Sequence, residues 1–159
     1  MRRRRLQARL RNARPNEAGA LTELELRSKR SWGYDDVFIE AIRSELILTP
    51  VMIARSEVIV AEEGSRAVGF ARVTIEGEVA TLHDLFVEPD CLRRGIGRLL
   101  CMAALQYARD RAATRMLLES DPYAEGFYLQ LGAKRVGEHR SSLVPGRTLP
   151  VMQFDVVPD

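Results

Sequence analysis

Apolar and polar positions change period twice along the chain. Between residues 17 and 30, Leu21, Leu24 and Leu26 stripe a charged segment. That spacing predicts a helix, preceded by a first strand within 6–14 and separated from it by the Pro15-Asn16 break. Trp32-Gly33-Tyr34 interrupts the pattern, and Asp35 or Asp36 caps a second helix carrying Phe38, Ile39, Ile42 and Leu46 at helical spacing. The period then shortens. Runs 58–61, 67–75 and 80–87 are rich in β-formers and divided by Glu62-Glu63-Gly64-Ser65 and Glu76-Gly77-Glu78, which predicts three consecutive antiparallel strands with tight turns.

After Pro89 the helical period returns, with Ile96, Leu99, Leu100, Ala103, Ala104 and Tyr107 on one face, ending near Arg111 before a short apolar run at 116–119. Asp121-Pro122 reads as an N-cap with proline in the first turn. Gly132 stops a helix whose stripe is Ala124, Phe127, Tyr128 and Leu131. Val136 and 151–157 supply the last strands. One strand, two helices, three meandering strands, a helix, a strand, a helix and a strand pair specify an α/β (α+β) single domain: a mixed, largely antiparallel sheet flanked by helices. The domain is expected over 6–159, behind a basic tail at 1–5.

Composition narrows the class. The chain has 159 residues, 46% of them hydrophobic, enough for one buried core. No apolar run approaches the roughly 20 residues of a membrane span, and the charged start lacks the apolar stretch of a secretory signal. A soluble, cytoplasmic protein without membrane partners is expected. Cys91 and Cys101 have no CxxC spacing, and the only histidines are His83 and His139, so neither a metal site nor a disulfide framework is indicated. The formal charge of +2 depends on the tail: without Arg2, Arg3, Arg4 and Arg5, 20 basic residues face 22 acidic ones, a balance of −2. The run lacks aromatic interleaving, so a solvated terminus is expected over a nucleic-acid grip.

Candidate chemistry gathers in Val87-Glu88-Pro89-Asp90-Cys91-Leu92-Arg93-Arg94-Gly95-Ile96-Gly97-Arg98, where a strand enters an amphipathic helix. Two glycines let the backbone approach an anion, and the helix N-terminus adds about half a positive charge, a geometry suited to a diphosphate. Arg93, Arg94 and Arg98 either contact phosphate oxygens or are simply solvated. The loop lacks the third glycine of a dinucleotide fingerprint, Leu100 standing there, and lacks the GK[ST] ending of a P-loop. A dinucleotide enzyme would also need a parallel sheet, whereas the predicted meander is antiparallel.

Val87, Pro89 and Arg94-Gly95-Ile96-Gly97 resemble the acyl-CoA pyrophosphate loop of the GNAT superfamily of N-acyltransferases, and Leu85-Phe86-Val87 resembles that family's fourth strand. Downstream, residues 121–133 resemble the family's helix ending in a tyrosine, three residues and glycine, with Tyr128 as the tyrosine. The resemblance implies a GNAT-like fold and acetyl-CoA as co-substrate. A bulge would splay the fourth strand and free the main chain of Leu85, Phe86 and Val87 for the pantetheine arm. The backbone of Leu92, where relatives carry glutamine or arginine, and of 93–98 would hold the diphosphate. Asp121 replaces a frequent asparagine beside the coenzyme, and Tyr128 would protonate the departing thiolate.

Direct attack by a primary amine in a ternary complex is the simplest route. His83 is the preferred general base, with Asp84, Glu119 and a water relay as alternatives; Cys91 has no neighbouring histidine to activate it. The resemblance further implies substrate contacts from Trp32, Gly33 and Tyr34 and from 141–150, where Arg147 tips a turn without an evident partner. A homodimer through the final strand, 149–157, is also implied by the resemblance. Rival readings keep the fold but make it a non-catalytic acyl-CoA sensor, or a protein- or ribosome-associated acetyltransferase recruited by Arg2 to Arg5.

Overall fold

In the computed structural model, which describes residues 7–158, strand β1 (Arg9–Asn12) leads through a 3-10 turn into helix α1 (Ala18–Arg30). Helix α2 (Asp36–Ile42) starts where the Asp35 carboxylate accepts the Phe38 N–H, 2.8 Å away. It gives way to a 3-10 turn at Arg43–Glu45, so the expected helix through Leu46 is shorter, although Leu46 is still buried. A third helix, α3 (Pro50–Arg55), was not expected. Its signal is Thr49-Pro50: the Thr49 hydroxyl accepts the Met52 N–H, and proline occupies the first turn. The Arg2 to Arg5 run lies outside the described residues.

Strands β2 (Glu57–Glu63), β3 (Arg66–Glu76) and β4 (Val79–Val87) form the expected antiparallel meander. Helix α4 (Ile96–Asp110) and strand β5 (Arg115–Glu119) complete a crossover that sets β5 parallel to β4. Helix α5 (Glu125–Gln130) and strands β6 (Lys134–Arg140) and β7 (Thr148–Asp155) follow. The seven strands lie in the order β1-β2-β3-β4-β5-β7-β6. Strand β7 is hydrogen-bonded on both sides, to β5 and β6, so the last strand is not a free edge on which a second copy could pair. On that side of the sheet the edge is β6.

Helices α4 and α5 cover one face of the sheet, with Leu100, Cys101, Ala104 and Ala108 packed on Val73, Leu82 and Met116. Leu99, expected in this stripe, is 38% exposed instead; Cys101 and Ala108 take the inner positions because the buried arc runs 96, 100, 101, 104, 108. Helices α1, α2 and α3 cover the other face with Leu21, Leu24, Ile39, Ile42 and Ile53. The sheet is thus covered by helices on both faces over β3 and β4.

Candidate active site

Strand β4 carries the bulge. Arg72 pairs with Asp84 but Val73 pairs with Leu82, leaving His83 as the extra residue. One added residue flips the alternation, so Leu82, Leu85 and Val87 share the face toward α4 while Asp84 and Phe86 turn toward α1 and α2. Beyond the bulge β4 leaves its other neighbour: pairing with β5 ends at Thr81 with Leu117, although β4 runs on to Val87. The expected splay is therefore present, and no strand among the described residues pairs with the β5-facing side of 82–87.

A cavity of about 550 Å³ fills this divergence, and Glu25, Asp84, His83, Leu118, Asp121 and Tyr128 are among the residues lining it. Tyr128 is buried at 6% exposure, its ring edge-on to Phe127 at 5.0 Å and to Phe154 at 6.4 Å. Burial, then the nearby Cys101, Asp84 and Asp121, push its phenol well above the ordinary value of 10.0, so it stays protonated at neutral pH. His83 hydrogen-bonds Thr74 Oγ1 through Nε2 at 2.7 Å. Partial desolvation, then the Arg72 charge, hold its imidazole below 6.5, which leaves it neutral at pH 7. Glu119 is half exposed and faces His139 Nδ1 at 3.1 Å.

Two polar clusters missing from the sequence reading frame the cavity. In the first, the Asp121 carboxylate accepts from Lys29 Nζ at 2.6 Å, Tyr34 Oη at 3.0 Å, Arg147 Nη2 at 3.0 Å and the Tyr123 N–H at 3.0 Å. Arg147, expected to be unpartnered, is 12% exposed in its side chain and also lies over the Phe38 ring, which stacks on Tyr34. This network occupies the Asp121 carboxylate, so the side-chain contact expected of it is directed at protein groups. The network brings together the two segments expected to contact substrate, with Trp32 edge-on to Tyr123 and lining the same cavity. In the second cluster Arg72 Nε donates to Asp84 at 2.6 Å, and Glu25 of α1 faces Asp84. Glu25 lies in the helical stripe of Leu21 and Ser28; a carboxylate at such an inward position is the signal that could have marked it.

The second feature is the entry to α4. Gly95 is its N-cap with φ of 83° and open space where a Cβ would stand, and no side chain caps the helix. Arg93 also has a left-handed φ of 60°, a strained conformation for a residue with a Cβ. The first-turn N–H groups are thus left facing a second cavity of about 540 Å³ lined by Arg93, Arg94, Gly95 and Ile96. Ile96 is buried beneath the loop, while Leu92 is 44% exposed and Arg98 is on the surface. Arg94 reaches back to Glu63 at 2.7 Å. A Cβ on Gly97 would meet the Phe127 ring at 3.3 Å, so glycine there lets α5, and with it Tyr128, pack close to the loop. Cys91 is buried with its thiol pushed up by burial and then by Asp90, the opposite of an activated nucleophile.

Residues 20–133 match the family model described as acetyltransferase (GNAT) family. An uncharacterised N-acetyltransferase, ycf52, of Pyropia yezoensis is 32% identical over 72 residues, which span 45% of this chain and 41% of that protein. The PaiA N-acetyltransferase of Thermoplasma acidophilum, solved in complex with coenzyme A, superposes with a TM-score of 0.78 at 18% identity, covering 93% of this chain and 98% of the other. An aminoglycoside 6′-N-acetyltransferase complexed with coenzyme A gives 0.71 at 19% identity, over 95% and 98%. At these identities the structural likeness establishes the fold.

Proposed function

The chain belongs to the GNAT acetyltransferase family, and from that premise we propose that it transfers the acetyl group of acetyl-CoA to a primary amine by direct attack in a ternary complex. One observation carries the reading: the splay of β4 from β5 joins, in a single cavity, an unpaired strand edge and a buried protonated tyrosine. Acetyl-CoA supplies the activated thioester. The amides of 92–98 at the start of α4 hold its diphosphate, an arrangement that fits because Gly95 offers no capping side chain and leaves those donors facing outward. The main chain of Leu85, Phe86 and Val87 holds the pantetheine arm along the free side of β4.

The acceptor amine enters the cavity between α1, β4 and the Lys29-Asp121-Arg147 network. Tyr128 keeps its proton through neutral pH and presents it to the leaving sulfur, while the proton on the newly acylated, positively charged nitrogen replaces it. His83, neutral at pH 7 and at the cavity wall, relays to solvent the one further proton that the reaction releases. The nucleophile is the amine itself, and buried Cys91 plays no covalent part. Titration of acetyl-CoA by calorimetry, with NAD as comparison, tests the premise: saturable binding of acetyl-CoA alone is expected, and its absence removes the acetyltransferase reading.

A further inference from the structure

Among the described residues, Glu25 Oε1 is the one buried side-chain oxygen or nitrogen without a hydrogen-bond partner, although Glu25 lines the cavity. Glu25 is 1% exposed, and its carboxyl faces that of Asp84 across the α1–β4 interface. Two carboxyl groups in contact must share a proton. Facing them are Arg72 of β3, which grips Asp84 at 2.6 Å, and Lys29 one helical turn further along α1. With Asp84 committed to Arg72, the proton sits on Glu25, whose pKa is raised by burial first and by Asp84 second.

We propose that the Glu25–Asp84 pair receives the acceptor's amino group and that Glu25 is the group that deprotonates it, which selects for aliphatic primary ammonium acceptors. The inference rests on the cavity being the acceptor site. An entering R–NH3⁺ supplies the positive charge that a second carboxylate requires, and the resident Glu25 proton leaves to solvent past His83. One N–H bond of the ammonium then breaks as an O–H bond forms on Glu25, and the electron pair left on nitrogen is the one that attacks the thioester carbonyl. One proton is released for each ammonium made neutral, and Glu25 ends the cycle protonated as it began. Oε1 of Glu25, without a protein partner beside an Asp84 already bound to Arg72, is an acceptor that an ammonium N–H fits.

Infrared spectroscopy of the full chain at pH 7 tests this. A protonated-carboxyl band is expected in the wild type and not in Glu25→Gln, and n-butylammonium chloride should remove at least half of it. Tetramethylammonium, which has no N–H, should leave it in place. Absence of the band, persistence of the band in n-butylammonium, or equal loss in both salts overturns the proposal. If Glu25→Gln fails to fold, the two salts compared on the wild type give the same decision. Acetyl-CoA calorimetry on the same sample separates the two levels: binding with an unresponsive band overturns the role of Glu25 alone, whereas no binding overturns the parent reading.

Discussion

A phenol can serve the leaving sulfur only if it holds its proton until transfer, and burial gives Tyr128 that property. Tyr128→Phe keeps the ring contacts to Phe127 and Phe154, so the fold and acetyl-CoA affinity should survive while kcat falls by about 10²–10⁴-fold, read as thiol release. An equal kcat would remove Tyr128 from the chemistry. His83 makes a different prediction. A proton relay accepts only when deprotonated, and its pKa is held below 6.5, so the rate should rise with pH along an acid limb whose midpoint lies under that value. His83→Gln should abolish this limb; an unchanged profile assigns it elsewhere. The helix that carries Tyr128 was legible because it has a recognisable pattern. Glu25 was not, because its significance comes from Asp84, 59 positions away in the chain and adjacent only in the fold.

Elements place these residues through two glycines that matter for opposite reasons. At Gly95 there is room for a side chain but the backbone is left-handed, so Gly95→Ala should cost about 1–2 kcal/mol in urea unfolding and weaken acetyl-CoA binding by distorting the first turn of α4. At Gly69 the backbone is ordinary but a Cβ would stand 2.9 Å from Phe86 O and 3.0 Å from Leu100 Cδ1. Gly69→Val should therefore cost about 1–3 kcal/mol by forcing β3 and β4 from α4. Equal stability of either variant with the wild type contradicts the packing described. The meander and the α4 crossover were legible because hydrophobic period and turn residues are local. Helix α3 was overlooked although Thr49-Pro50 signals it, since six residues carry too little periodicity to stand out.

At the scale of the molecule, α1 is the element that closes the cavity. Arg27 of α1 reaches the buried Glu88 just past β4, which Arg66 of β3 also approaches, and Lys29 of α1 reaches Asp121 beyond β5, so one helix is pinned to both diverging strands. The same helix brings Glu25 out of water, and this has a consequence for stability. A carboxyl with a folded pKa above its ordinary 4.5 binds more protons folded than unfolded. Its contribution is complete below about pH 4.5 and declines as pH rises through neutrality. Glu25→Gln cannot ionise, so its stability relative to the wild type should increase from pH 5 to pH 8, at most about 1.4 kcal/mol per pH unit. Chemical denaturation at several pH values measures this, and a pH-independent difference would show Glu25 to be ionised in the fold.

The sequence by itself determined the element order apart from α3, the meander, the strand-to-helix loop and the tyrosine helix, because each rests on residues near one another in the chain. The bulge at His83, the partners of Arg147 and Asp121, the internal position of β7 and the burial of Glu25 were decided only by the tertiary structure. Register, ion pairing and desolvation depend on which distant segments share a surface, and α1 meets β4 across a sheet that lies between two layers of helices.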